Sequence, residues 1–431
     1  MDNLTHTLIG VIAGESIAQS THGTRPGLAP DVRRTLFVAL AAIGGNLPDL
    51  DLVYSFPGIS RDKLSYVLQH RGYTHSVLGC VVLALLLYAG TELWLKRKRL
   101  TLTRRDRLEL GAMALFGTLL HLGMDALNSY GVHPFWPAGN HWFYGDSVFI
   151  VEPLYWAAAA PLIFVLRSIV MRVVIALALL AAIALSALLH LVLPVWLAGF
   201  ALLTMALLLV GARTSPRTAA LTSAGLLVSI TAMFILAGHL AARRIDSIVA
   251  ADFHSEQIVD HVLTPMLMNP FCWDVLVLTT NGDRYAIRHA VLADAPGLIA
   301  ARRCPMALQG QDTTAPLTKV AAPESPQIHW LGEFAMSRSQ LATLVAQHCD
   351  AAALMRFARA PFATVFERHW VVGDFRFDRE RQLGMAEIEL GAPSAGQCPA
   401  TVPWVPPRAD LLQLPPSMRA FTSTTSTATR P

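Results

Sequence analysis

The stretch QHRGYTHSVLGCVVLALLLY (69–88) decides how the rest of the chain is read. Two histidines, an arginine and a glycine stand directly against an apolar run of the length and composition of a membrane helix. The run has company. The chain of 431 residues is 53% hydrophobic and only 15% charged, with a mean hydropathy of +0.45. A soluble domain carries roughly 25% charged residues, so a polytopic membrane protein is expected. The net charge of +4 is spread over loops without a basic patch interleaved with aromatics. That excludes nucleic acid as a binding partner. The opening MDNLTHTLIG has neither a basic n-region nor a small-residue cleavage site, so no cleaved signal peptide is expected.

The expected fold is an all-α polytopic membrane bundle of about eight helical segments, followed by a small α+β extramembrane domain. The segments are 4–19, 35–47, 75–95, 108–130, 152–168, 172–190, 194–211 and 219–240. Four regions follow: a membrane-embedded metal-site domain (1–160), additional transmembrane helices (161–244), the α+β domain (245–400) and a low-complexity tail (401–431). The tail ends in TSTTSTATRP, has no core to bury and is expected to be disordered.

Loop charges orient the set. Loops 20–34, 96–107, 167–172 and 211–217 carry 3, 7, 2 and 2 Lys/Arg residues, whereas loops 46–73, 131–151 and 190–194 carry 3, 0 and 0. The block KRKRLTLTRRDR (96–107) therefore lies inside. An even number of spans then places the amino terminus and the C-terminal domain on the outer, periplasmic side. Four of the five cysteines, Cys272, Cys304, Cys349 and Cys398, fall in that domain, where two disulfides with three possible connectivities compete with unpaired buried thiols.

On this threading the unusual polar residues collect at one face. His6 is at the outer end of the first helix, and Asp49 and Asp51 are in the turn leaving the second. His70 and His75 stand at the start of the third. His121, Asp125 and Asn128 follow at i, i+4 and i+7 near the end of the fourth, and Asp146 and Glu152 precede the fifth. Imidazoles with carboxylates are ligands for Zn²⁺, Mn²⁺ or Fe²⁺, and more ligands than one ion requires point to two. Ionisable groups at membrane depth are costly and mark function. Arg71 is placed to clamp a phosphate oxygen, and Gly72 lets backbone approach closely.

These residues carry a resemblance. MDNLTHTLIG (1–10), GGNLPDLD (44–51), HRGYTHS (70–76) and HLGMDALNSYG (121–131), in that order, resemble the YdjM-type inner-membrane metal-dependent hydrolase family over roughly residues 1–160. NPFCWDVLV, from Asn269, looks like a recurrent piece of longer members. The resemblance implies a hydrolase of the bacterial inner membrane that needs a divalent metal. The His121/Asp125 pair is also distantly similar to a ligand pair of zinc-dependent phospholipase C and single-strand nucleases, which favours phosphoester cleavage.

In the C-terminal domain, FCWDVLVLTTNGDRYAIRHAVL alternates around Asn281-Gly282, a hairpin signal. A helix is expected from Ser339 and two more strands within 368–390, a domain suited to be a lid or collar over the metal face.

The expected function is a membrane-bound, metal-dependent hydrolase that cleaves a phosphoester, lipid or lipid-linked. His6, Asp49, His70, His75, His121 and Asp125 would bind one or two ions, Zn²⁺ or Mn²⁺, with Asp51, Arg71 and Glu152 catalytic. The alternative is a non-catalytic metal-binding membrane protein or a transporter, which would spread ionisable groups through the middle of the spans.

Overall fold

The computed structural model describes residues 1–21, 27–55, 63–306, 312–381, 383–394, 398 and 402–413. Two helices form the first layer, α1 (Asn3–Ser20) and α2 (Pro30–Gly44). They touch backbone to backbone: a Cβ on Gly10 would lie 2.6 Å from the Ala41 carbonyl oxygen, and one on Gly14 2.7 Å from that of Phe37. Small residues permit this approach where lipid supplies no hydrophobic drive between helices. A 3-10 helix (Leu47–Ser55), a short α3 (Lys63–Gln69) and a 3-10 turn (Tyr73–His75) lead into α4 (Val77–Arg97), which Ser76 caps. Next, α5 (Arg104–Asp125) starts with a capping box between Thr103 and Asp106 and packs Gly117 onto the α2 backbone. The ends of α1, α2 and α5 that carry the candidate ligands are thereby brought to one end of the bundle.

The remaining helices are α6 (Pro153–Ala158), α7 (Ile169–Leu188), α8 (Pro194–Arg213) and α9 (Pro216–Asp252). Among the described residues, five helices are long and apolar enough to cross a membrane: Pro30–Val53, Val77–Arg97, Ile169–Leu188, Pro194–Arg213 and Pro216–Asp252. Each of the eight segments read from the sequence holds a helix, but not all have the character of a span. The helix α1 buries His6, Glu15 and Ser16 inside the bundle, α5 opens with charged residues, and the run from Pro153 is short.

At 37 residues α9 is about 55 Å long, well beyond the ~30 Å hydrocarbon thickness. It runs past residue 244, where the sequence reading places a domain boundary, and its last turns are the floor of the C-terminal domain. There Ala241, Ile245 and Val249 pack against Trp273, Val275 and Val277. These belong to a four-stranded antiparallel sheet in the order β1 (Gln257–Met266), β2 (Asn269–Asn281), β3 (Arg284–Ala293), β4 (Ile328–Ser337). The expected hairpin is present with its turn one residue on: Asn281 pairs with Arg284 across Gly282-Asp283, with Gly282 at φ 59°. The other sheet face, with Leu276 and Leu278, packs on Phe362 and Phe375. Then come α10 (Arg338–Gln347), α11 (Cys349–Leu354) and a three-stranded sheet of β5 (Pro361–Phe366), β6 (His369–Asp374) and β7 (Glu387–Glu389), with α12 (Ala409–Leu412) near the end. Two disulfides close the domain, Cys272–Cys304 and Cys349–Cys398.

The two parts share a core. Val67, Leu68 and Tyr130 of the membrane part pack with Leu341, Leu344, Phe357 and Trp404. Trp404 corrects the tail boundary: residues 402–413 are packed, and the Trp404 indole, fully buried, donates to the Leu68 carbonyl at 2.8 Å. The rest of the expected tail, 414–431, lies outside the described residues.

Candidate metal centre

His121 lies in the last turn of α5, where its Nδ1 sits 2.7 Å from the Gly45 carbonyl oxygen. A carbonyl only accepts, so Nδ1 carries the proton and Nε2 is left with a bare lone pair. His75, just before α4, has its Nδ1 3.1 Å from Asp51 Oδ2. Its Nε2 is bare by the same logic. Yet these two Nε2 atoms face each other at 3.0 Å. Two carboxylate oxygens complete the group. Asp49 Oδ1 lies 3.3 Å from His75 Nε2 and 3.6 Å from His121 Nε2. Asp125 Oδ2 lies 3.2 and 3.3 Å from the same atoms.

With both rings neutral, four acceptor atoms thus meet with no proton between them, all on buried side chains. Asp125 Oδ2 has no hydrogen-bond donor at all. Without a positive centre the arrangement is repulsive. Metal–ligand bonds of about 2.0–2.1 Å in a tetrahedron give ligand–ligand edges of about 3.3–3.4 Å, and the observed separations bracket that value. The donor set fits a divalent cation.

Asp51 is the hub beside this group. Its Oδ1 accepts from His70 Nδ1 at 2.8 Å. Its Oδ2 accepts from the Arg71 amide at 2.9 Å and the Thr74 hydroxyl at 2.7 Å as well as facing His75. A carboxylate that fixes the tautomer of a ligating imidazole raises its basicity and aims it. Asp49, Asp51 and His70 form a second ligand group that shares Asp49 with the first. Burial holds the His70 imidazole below its ordinary pKa, against the opposing pull of Asp51.

Asp125 Oδ1 faces the other way. It takes the Met1 amino group, His6 Nε2 at 3.2 Å and Arg71 Nη2 at 3.1 Å. His6 is stacked on His121 with ring centroids 3.8 Å apart. Arg71 adopts a left-handed backbone (φ 61°), held by its amide on Asp51 and by its carbonyl, which accepts from His133 Nδ1. Its Nη1 donates to Asn128 at 2.8 Å, while its buried Nε has no partner.

The structure therefore brings Asp49, His75, His121 and Asp125 to one point, sets His70 and Asp51 beside it, and places His6 and Arg71 behind Asp125. Glu152 is elsewhere. It caps α6, and its carboxylate accepts from the amides of Leu154 and Met268, at 3.0 and 3.2 Å. Asn128 lies beyond the end of α5, not on its face, and its side chain also accepts from the Tyr130 amide. Asp146 is taken by Arg359 of the C-terminal domain, two bonds of 2.8 Å each.

Four contributors escape the pattern of ligand types. Asn3, inside the MDNLTHTLIG motif, donates to Asp49 at 3.1 Å. The Tyr130 ring lies 4.8 Å from the Arg71 guanidinium carbon and edge-on to His70. Trp404 comes from the far end of the chain to stack on His133, with 3.8 Å between centroids. His133 is buried, which pushes its pKa down to about 3. Gly72 is required here: a Cβ would meet the Trp404 ring at 2.7 Å.

Residues 1–197 match the family model of the YdjM inner membrane protein, and the match takes in every residue of the cluster. The amino-terminal part of the chain is thus similar to the YdjM inner membrane proteins, and among the described residues five helices have the length and composition to cross a membrane. Searches of curated proteins and of solved structures gave no match.

Proposed function

We propose that this chain is a metal-dependent hydrolase that cleaves a phosphoester, lipid or lipid-linked, at the membrane surface. One observation carries the reading: the Nε2 atoms of His75 and His121, whose Nδ1 atoms already face acceptors, lie 3.0 Å apart and confront two carboxylate oxygens. His75, His121, Asp49 and Asp125 hold one ion, Zn²⁺ or Mn²⁺. Asp49 with Asp51 and His70 offers room for a second. Such a cation supplies a Lewis acid and acidifies the water it binds.

The chain's own groups do the rest. Asp51 and the Gly45 carbonyl fix both ligating rings. Arg71, with a free Nε and a guanidinium beside Asp125, steadies a phosphate oxygen. Asp51 relays the proton through His70. Glu152, turned to Met268, takes no part.

The cluster and the C-terminal domain are assigned to the periplasmic side. Two disulfides in that domain support an oxidising compartment. The basic block 96–107 lies at the opposite ends of α4 and α5 from the cluster, as expected of an inner loop.

The test is metal analysis of the detergent-purified protein with turnover of bis(4-nitrophenyl) phosphate, before and after chelation. Metal content and turnover are expected in the wild type and lost in His121→Ala and Asp125→Ala. Full metal content in those variants defeats the assignment.

A further inference from the structure

Outside the cluster, a groove of about 640 Å³ runs between α1 and α2, bounded at one end by the start of α7. Its size is that of a small-molecule site. The walls are Val11, Val38, Ala42, Ile43, Leu50 and Leu166. It follows α2 from Arg34 to Gly44, about 15 Å of helix.

Its two ends differ. At the far end Arg34 pairs with Glu15 and Arg167 pairs with Asp31, so the charges there are matched and offer nothing to a charged group. At the near end Asn46 lines the groove, and Asn3 donates both to Asn46, at 3.2 Å, and to Asp49, at 3.1 Å. One asparagine separates an apolar channel from a metal ligand.

The channel lies on a helix of membrane-spanning composition (Pro30–Val53). Ile43 and Leu50, on its rim, are 49% and 59% exposed in the free protein, so the medium against this wall is lipid. We infer that the groove between α1 and α2 receives one hydrocarbon chain of a membrane lipid phosphate and presents its headgroup to the cluster. This rests on the hydrolase reading above and adds the place where the substrate's hydrocarbon chain is held as the lipid enters sideways from the bilayer. Each methylene placed there leaves no polar group unpaired, because Asn46 already donates to Thr7 and the Ala42 carbonyl.

The test is photolabelling of the full chain in detergent micelles with phosphatidic acid that carries a diazirine in one acyl chain. Peptides covering 34–50 are expected to label saturably and to be competed by unlabelled dioleoyl phosphatidic acid. The peptide around Leu202, 72% exposed on α8, serves as the bulk-lipid reference. Ala39→Trp and Ala42→Trp, which fill the groove, should reduce the 34–50 signal to that reference. Metal content reports that each variant is folded.

Labelling of 34–50 that is neither saturable nor above the Leu202 peptide in the wild type overturns the proposal, as does undiminished labelling in both folded variants. A second arm reads the ratio of dioleoyl phosphatidic acid turnover to bis(4-nitrophenyl) phosphate turnover. It is expected to fall on the order of tenfold in the variants, since remote binding energy is what a blocked groove removes. If the wild type hydrolyses neither ester, the hydrolase reading fails while the labelling still decides the groove.

Discussion

Two sets of buried charges in this molecule obey opposite rules. In the joint between the membrane part and the C-terminal domain, every side-chain nitrogen of Arg359 is engaged: on Asp146, on Asp260 and on the His261 carbonyl. Arg376 does the same with Asp374 and the carbonyls of Ser129, Tyr130 and Phe357. The cluster is buried at least as deeply, yet its acceptors face one another and Asp125 Oδ2 lacks a donor. Burial of charge is tolerable when each group is paired. The joint carries its own cations and is finished as folded. The cluster holds more acceptors than donors, and that deficit marks it as a place for something from outside.

Four experiments bear on this contrast. The largest effect is expected from His121→Ala, which should abolish bound metal and with it the chelator-sensitive part of the thermal stability. A chelator-induced drop in Tm that survives in the variant would mean the cluster is as self-sufficient as the joint. Next, Arg359→Met leaves Asp146 and Asp260 without their main cation. It should cost about 3–5 kcal/mol in denaturant unfolding with the metal content per folded protein unchanged. A loss of metal instead would show that the two regions are one unit.

Asp51→Asn probes the support of the cluster rather than its ligands. A weakening of metal affinity by about 10–100-fold, measured by competition with a chelating dye, is the size expected for a group that aims His75.

The smallest effect concerns an acid pair of the C-terminal domain, Asp378 and Glu387. Burial, with the Asp378 charge beside it, pushes the Glu387 carboxyl up to about 7. The folded state therefore keeps a proton that the unfolded chain releases near its ordinary value of 4.5. Stability from this group is full below about pH 4.5 and declines as pH rises towards 7. Thermal unfolding of Glu387→Gln should show a flatter profile across that window, and an unchanged slope would assign the dependence to other groups.

Much of this was legible along the chain. The apolar runs mark the membrane part, Asn281-Gly282 marks the β2–β3 hairpin, and the helix expected from Ser339 begins one residue earlier. The motifs point to His75, His121, Asp49 and Asp125 because ligand chemistry resides in residue type. The strands β1, β4 and β5 were not read. They lack so clear a turn signal, and their pairing is set by partners across the sheet. Trp404 sits in a Pro-rich stretch with the composition of a tail, and nothing local announces that it closes over Gly72 and His133.

The sequence by itself determined the solvent of the first half of the chain, the kinds of ligand on offer and the end of the bundle where they gather. Only the tertiary structure decided which of them share an ion. It gave Asp51 to His70, Arg71, Thr74 and His75, turned Glu152 towards Met268, and left Asp125 Oδ2 without a donor. The physical reason is that the capacity to bind is a property of a side chain. Whether that capacity is already spent depends on neighbours brought from far along the chain.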